Sequence, residues 1–244
     1  SVTINGKVGA TTISSLKVDA FIIGFNHNSG KEGSNRIHFL LGKISGKFVG
    51  LVDSSYGSTT STSGAFTMNT SNTNSGGWGS SQMRSKVLGS ASSPTSPTAN
   101  TLMAALPSDL RAVMKSCTKY TDNKGGSNTA SNVSSTTDYL FLLSEYEVFA
   151  THQYCNDAEP NYQAQYDYFK AGNSKVANKH SATGTAAVWW LRSPNYNNIN
   201  NNNYFCAVSS SGSLDYNNAN NAYGVVPGFC HAWSHGVAIG ERRP

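Results

Sequence analysis

An α+β domain with a β-rich N-terminal part is the fold class this sequence predicts, and three observations carry it. Residues 2–53 alternate apolar and polar side chains around Gly, Asn and Ser turns, the period of half-buried strands. Helix-like segments with capping residues at their starts appear only from residue 98 onward. The last part, from Trp189 to Phe229, reads as strand, loop, strand, loop, strand. No linker or second core divides the chain, so one domain over residues 1–233 is expected, with a loose tail over 234–244.

The elements follow in order. VTINGKV, VDAFIIGFNH and the RIHFLLGKI-SGK-FVGLVDS run are strands, with Ser45-Gly46-Lys47 at a hairpin tip. Residues 53–77 form a Ser/Thr/Gly/Asn-rich loop, which Tyr56, Phe66 and Trp78 should order against the body. Two helices are expected next, TANTLMAAL and PSDLRAVMKSCTKY, the second opened by Pro107 with Ser108 or Asp109 as cap. Its apolar face would be Leu110, Val113, Met114 and Cys117. DYLFLLS is a buried strand, and Ser144 can cap the short helix EYEVFA. PNYQAQYDYFKAG opens with Pro160 and closes with Gly172, as a helix does, and Tyr162, Tyr166 and Phe169 would line its packed face.

Composition narrows the classes of function. Charged residues make up 13% of the chain, about half the usual share, and Ser, Thr, Asn and Gly fill the gap. Neutral polar groups therefore keep it in solution, as in loop-rich β proteins of surfaces and virions. The net charge of +5 is spread along the chain. The clearest basic stripe, Arg111, Lys115 and Lys119, reads as a solvated helix face, so no nucleic-acid partner is expected. No apolar stretch approaches the length of a membrane span, so no membrane insertion is expected either.

Eleven asparagines lie between Asn195 and Asn221, in the clusters NYNNINNNNY and YNNANNAY. Each cluster abuts apolar sequence: VWWLRSP before the first, FCAV after it, GVVPGF after the second. A disordered polar tract would not be framed so closely by core residues. Asn suits turns and left-handed backbone, offers both donor and acceptor, and with Tyr makes a surface able to bond and stack. Antibody paratopes use the same pairing of rigid Tyr with adaptable Asn, Ser and Gly. The pattern points to recognition by Asn195, Tyr196, Asn197, Asn198, Ile199, Asn200, Asn201, Asn202, Asn203, Tyr204, Tyr216, Asn217, Asn218, Ala219, Asn220, Asn221 and Tyr223. The blander alternative is a low-complexity loop without a partner. Trp189, Trp190, Arg192, Phe205 and Phe229 are the expected scaffold, with Val208 and Val225. The two tryptophans should face opposite sides of a strand, and Arg192 should pair with Glu145 or Glu147.

The order WWLRSP, Asn-rich loop, YFCAV-SSSGSLDY, Asn-rich loop, GVVPGF resembles the ligand-binding domain of variable proteins of diversity-generating retroelements. The preceding MAALPSDLRAVMKS…DYLFLLSEYEVF looks like the same bacterial and phage family, and the resemblance spans residues from about 20 to 233. It implies a C-type-lectin-like fold, of twisted antiparallel strands, flanking helices and long ordered loops, with a variable region at about 189–229. It implies a non-enzymatic protein on a phage tail or a bacterial surface, binding a variable protein or glycan ligand on a cell surface. A homotrimer on a virion is compatible with that reading, although no sequence signal requires one. In such systems a reverse transcriptase miscopies template adenines, and the Asn codons AAC and AAT are preferred targets. Tyr196, Ile199, Tyr204, Tyr216, Ala219 and Tyr223 are each reachable from Asn by such changes.

Catalytic patterns point elsewhere. HExxH, GxSxG and P-loop signatures do not occur. Glu159-Pro160-Asn161 spells a lectin calcium motif, but it opens a helix and no Trp-Asn-Asp follows. Cys117, Cys155, Cys206 and Cys230 show no zinc spacing, and buried free thiols are expected, with a Cys206–Cys230 disulfide as the alternative. His231 and His235 read as solvated in the tail. Neither cofactor nor metal is expected. The competing functions are a structural or adhesive virion protein, and a sulfatase-activating-oxidase-like enzyme that would need a solvent-reachable Cys206 or Cys230.

Overall fold

The computed structural model describes residues 1–59, 64–196 and 202–233. Strands β1 (Val2–Val8), β2 (Thr11–Phe25), β3 (Arg36–Ile44) and β4 (Lys47–Gly50) form an antiparallel series. Their alternation turns Ile4, Val8, Ile13, Val18 and Ile23 into the core. Ser45 and Gly46, at φ 48° and 77°, close the β3–β4 hairpin with two left-handed residues, the geometry that matches strand twist. A short helix, α1 (Ser29–Glu32), sits between β2 and β3.

After β4 the chain makes a long excursion before it returns to this sheet. Residues 64–78 pack inward through Phe66, Met68 and Trp78, and Met83–Leu88 form a π-helical turn. Helices α2 (Leu102–Ala105) and α3 (Ser108–Val113) follow. The sequence suggested one helix from Pro107 to Tyr120, but α3 ends at Val113. Met114 is extended (φ −67°, ψ 140°), and the chain continues as β5 (Met114–Lys115) and β6 (Cys117–Asp122). Strand pairing of β5 with the C-terminal strand, and of β6 with β7 (Val133–Asp138), supplies the backbone bonds a helix would have made. The basic stripe is therefore not a helix face. Arg111 is tied to the carbonyls of Leu106 and Pro94, and Lys119 is wholly buried.

Strand β8 (Leu140–Phe141) leads into α4 (Glu145–Phe149), where Ser144 and Glu147 form a reciprocal capping box. The helix suggested over residues 160–172 is instead a 3-10 turn, Glu159–Asn161, and a one-turn helix α5 (Asp167–Lys170). The Gln163 amide bonds to the Tyr120 carbonyl and the Tyr166 N–H to the Glu147 carbonyl, which draws the intervening residues out of helix. The aromatic stripe still packs: Tyr166 and Phe169 are buried, and Tyr162 stacks on Tyr120 at 4.9 Å.

The final strands are β9 (Ala177–Lys179), β10 (Ala182–Ala187), β11 (Trp189–Pro194), β12 (Tyr204–Val208), β13 (Leu214–Asn218) and β14 (Gly228–Ala232). β14 returns to the first sheet, antiparallel to β3, β5 and β8, while β4 pairs in parallel with β9. β11, β12 and β13 form a separate antiparallel sheet, its β12–β13 hairpin turning at Ser209–Ser213. An α+β class with a β-rich N-terminal part describes this architecture.

Candidate functional site

Trp189 and Trp190 divide the layers between them. Trp189 meets Phe48 edge-on and donates its indole N–H to the Lys175 carbonyl at 2.9 Å. Trp190 meets Tyr223 edge-on and donates to the Phe66 carbonyl at 3.0 Å. Phe205 and Phe229 are buried as well, Phe229 stacked on Phe39. Behind them lies Arg192, wholly buried, with Nη2 2.9 Å from Glu147 Oε1 and Nη1 on the Leu142 carbonyl. Glu147 is thus the partner that the sequence left open between two carboxylates.

The other candidate, Glu145, accepts the backbone N–H groups of Tyr154 (3.1 Å) and Cys155 (2.7 Å) instead. It thereby holds Tyr154 beside β13. Tyr154 was not singled out from the sequence, because nothing local marks it; only the distant carboxylate and Tyr216 give it a place.

The Asn-rich segments divide into three groups. Asn202 is exposed; Asn203, Tyr204, Tyr216, Asn217, Asn218 and Asn220 are half-buried. They lie at one end of the β12–β13 sheet, where Tyr204 opposes Asn218 and Cys206 opposes Tyr216. The Tyr216 ring sits 5.1 Å from Tyr204 and 4.9 Å from Tyr154, a run of three aromatics. Asn72 donates to the Asn218 side-chain oxygen at 3.0 Å, bringing the 64–78 loop into the same face. Asn217 and Asn218, read from the sequence as loop, belong to β13 itself.

A second group departs from the expectation of exposure. Asn195, Ala219 and Asn221 are buried. Their backbones close the loops onto the scaffold: Asn195 N–H donates to the Tyr204 carbonyl, and Ala219 links to Asn203 and Asn69. The Asn221 amide reaches the Tyr223 hydroxyl at 3.5 Å. Tyr196 and Tyr223 are half-buried, and burial pushes the Tyr196 phenol pKa up, with Asp122 and Glu159 adding to it. Tyr223 packs between Tyr56 and Trp190, so it is support. The remaining members, Asn197, Asn198, Ile199, Asn200 and Asn201, lie outside the described residues, as does the 234–244 tail with His235.

Asn74, wholly buried, fixes the floor of this face. Its Nδ2 donates to the Tyr204 carbonyl (3.1 Å) and approaches that of Asn195, while its Oδ1 accepts from the Gly126 N–H. Gly77 and Gly125 permit this, at φ 52° and 70°: a Cβ on either would lie 2.0 Å from a backbone oxygen, of Asp122 and Asn74 respectively.

Deeper still is a cluster of ionisable groups. Lys119 Nζ lies 2.7 Å from Glu32, 3.0 Å from Glu147 and 2.8 Å from the Tyr166 hydroxyl. Burial opposes charge on Glu147, yet Arg192 and Lys119 outweigh it and hold its carboxyl well below the usual range. Burial lifts Glu32 to about 7, with Lys119 pulling against it, and lifts Glu159 to about 7. Burial and then Lys119 push His27 down to about 3 and His38 to about 2. Glu159, the first residue of the would-be calcium motif, accepts from Asp122 N–H and Ser193 Oγ, so its carboxylate is spent on structure.

All four cysteines are free and buried. The Cys206–Cys230 alternative is not what the structure contains: Cys206 lies 3.4 Å from Glu145, and Cys230 on another sheet lies 3.4 Å from His38. His231 belongs to β14 rather than to the tail. No helix among the described residues is long and apolar enough to cross a membrane.

A family model described as a domain of unknown function (DUF6273) matches residues 59–233. That range takes in the central excursion, the ionisable cluster's Lys119, Glu147 and Arg192, and the whole aromatic-amide face. No curated protein matches the chain. No solved structure matches it.

Proposed function

We propose that this chain, which belongs to the DUF6273 family, is a non-enzymatic ligand-binding protein of C-type-lectin-like fold. Its site is the face built from Asn202, Asn203, Tyr204, Tyr216, Asn217, Asn218 and Asn220, extended by Tyr154 and Asn72. The ligand is a variable protein or glycan on a cell surface, and retroelement mutagenesis directed at adenines supplies the variation. The carrier is a phage tail or a bacterial surface.

One observation carries the reading. Three tyrosine rings and a set of neutral amides are gathered on a face whose floor is fixed by buried side chains that the face does not contain. Rigid aromatics with adaptable amides are the chemistry of a paratope. A floor independent of the contact residues lets those residues vary without unfolding the domain. The return of β14 to pair with β3, after a long excursion, suits the lectin-like arrangement.

Two experiments test it. A library randomised at Asn202, Asn203, Tyr204, Tyr216, Asn217, Asn218 and Asn220 should remain folded and yield binders to unrelated surface proteins and glycans. In the source DNA, a near-copy of the segment encoding Asn195–Asn221, differing at adenines and beside a reverse transcriptase gene, is expected. A library that mostly unfolds, or that never yields binders, would leave these loops as mere surface of a structural or adhesive protein.

A further inference from the structure

We propose that Cys117, Cys230 and His38, with Glu32 beside them as the fourth donor, form a buried site for a zinc-type divalent cation. The two thiol sulfurs and a His38 ring nitrogen lie within 4.8 Å of one another. Cys230 Sγ is 3.4 Å from His38 Nδ1, Cys117 Sγ is 3.4 Å from Glu32 Oε2, and that oxygen is 3.9 Å from His38 Nδ1. A tetrahedral ion with bonds of about 2.0–2.3 Å sets neighbouring donors about 3.4–3.8 Å apart. Three edges fall on or near that scale, and the remaining separations of the Cys117, Cys230 and His38 trio are held within 4.8 Å, so side-chain movement of up to about an ångström would close the site.

The donors come from four places. Cys117 begins β6, Cys230 lies on β14, His38 is its register partner on β3, and Glu32 ends α1. Cys230 and His38 are 192 positions apart, which is why a search for paired-cysteine spacing misses them. This is where the expectation of no metal, drawn from that spacing, is set aside.

Charge decides which ion fits. Glu32 and Glu147 face Lys119 and Arg192, and with Glu32 ionised, as ligation requires, two carboxylates stand against two cations. A divalent ion that displaces two thiol protons leaves that balance unchanged, whereas a monovalent ion would leave one buried negative charge uncompensated. Lys119 on Glu32 serves as the outer partner that orients a ligand. The contact displaced is that of the Tyr166 hydroxyl, 3.0 Å from His38 Nδ1. The neighbouring trio His27, Glu32 and Glu147 holds no thiol, and the Lys119 ammonium already bridges its two carboxylates, whereas the proposed site shares only Glu32 with that ammonium.

The test unfolds the reduced full chain with a chelator and refolds it with Co²⁺, so that burial does not bar entry. One cobalt per chain is expected after desalting, with thiolate-to-cobalt charge transfer, tetrahedral d–d bands, displacement by Zn²⁺, and two sulfur ligands in X-ray absorption. The Cys155→Ser/Cys206→Ser double variant should keep these bands, and Cys117→Ser/Cys230→Ser should lose them. Should that last variant fail to fold, the sulfur count on the unaltered chain and the band of the Cys155/Cys206 variant still decide. A refolded chain of native circular dichroism that retains no cobalt overturns the proposal. So does a band that depends on Cys155 or Cys206, or a refolded chain holding a Cys117–Cys230 disulfide in place of the ion.

Discussion

Arg192 and Glu147, neither exposed to solvent, meet through the two terminal guanidinium nitrogens and both carboxylate oxygens, with Nη2 2.9 Å from Oε1. The pair joins the strand that leads into the Asn-rich segment to the helix whose capping box Glu147 completes. It therefore fixes the scaffold at the root of the proposed binding face.

Removing one partner would strand the other charge in the interior. Arg192→Ala or Glu147→Gln is expected to cost about 3–5 kcal/mol in urea unfolding. Arg192→Lys should recover only part of that loss, since an ammonium cannot fork onto two oxygens. A loss of less than about 1 kcal/mol on Arg192→Ala would show that the pair does not hold the scaffold.

In the metal-free chain, kept so by a chelator, stability should be nearly flat between pH 7 and 4.5 and fall steeply below. Unfolded, His27 and His38 take up protons near 6.5, and Glu32 and Glu159 near 4.5. Folded, the two histidines stay neutral to about 3 and 2, while the two carboxyls protonate at about 7. Between the windows each state therefore holds two of these protons, and the slopes cancel. Below 4.5 the unfolded chain holds three more, two on the histidines and one on Glu147, whose folded carboxyl stays ionised. Stability should then drop with a limiting slope of about 4 kcal/mol per pH unit. Urea midpoints collected from pH 8 to 3.5 check this, and a steady decline starting at pH 7 would contradict it.

Scaffold and face should separate in a stability scan. Trp189→Ala or Trp190→Ala is expected to cost about 3–5 kcal/mol, since each ring is buried and bonded. Asn202→Ala, at an exposed position, should change stability by no more than about 0.5 kcal/mol. Asn74→Ala should cost about 1–3 kcal/mol, because it takes the acceptor from the Gly126 N–H and one of the two donors from the Tyr204 carbonyl. Thermal denaturation of the four variants is sufficient, and equal losses at Asn202 and Trp190 would erase the distinction.

What the sequence revealed tracks how local each determinant is. β1 to β4 were legible because Ile4, Val8, Ile13 and Val18 alternate with polar neighbours, and the Ser144–Glu147 cap because its partners stand three residues apart. The buried tryptophans were legible from their bulk. Lys119 was not: its neutralising partners Glu32 and Glu147 lie 87 and 28 positions away, and the apolar spacing from Leu110 to Cys117 imitates a helix. Asn195 and Asn221 share their residue type with exposed neighbours, so composition could not sort floor from face. Tyr154 entered the face only through Glu145, nine positions distant, and Tyr216.

Binding should depend on Tyr154 and Tyr216 together. Tyr216 touches both Tyr154 and Tyr204, so its loss breaks the aromatic run at its centre. In a binder drawn from the randomised library with all three tyrosines retained, Tyr216→Ala should weaken affinity by about 2 kcal/mol or more, the scale of a central anchor. Tyr154→Ala should weaken it comparably, although Tyr154 lies outside the asparagine segments. Tyr223→Ala should instead lower stability while leaving the affinity of the folded fraction within about threefold, because its ring supports Trp190 rather than facing the ligand. Surface plasmon resonance alongside thermal denaturation distinguishes the two effects. If Tyr154→Ala left affinity untouched while Tyr223→Ala abolished it, the contact surface would lie on the Trp190 side and not along β13.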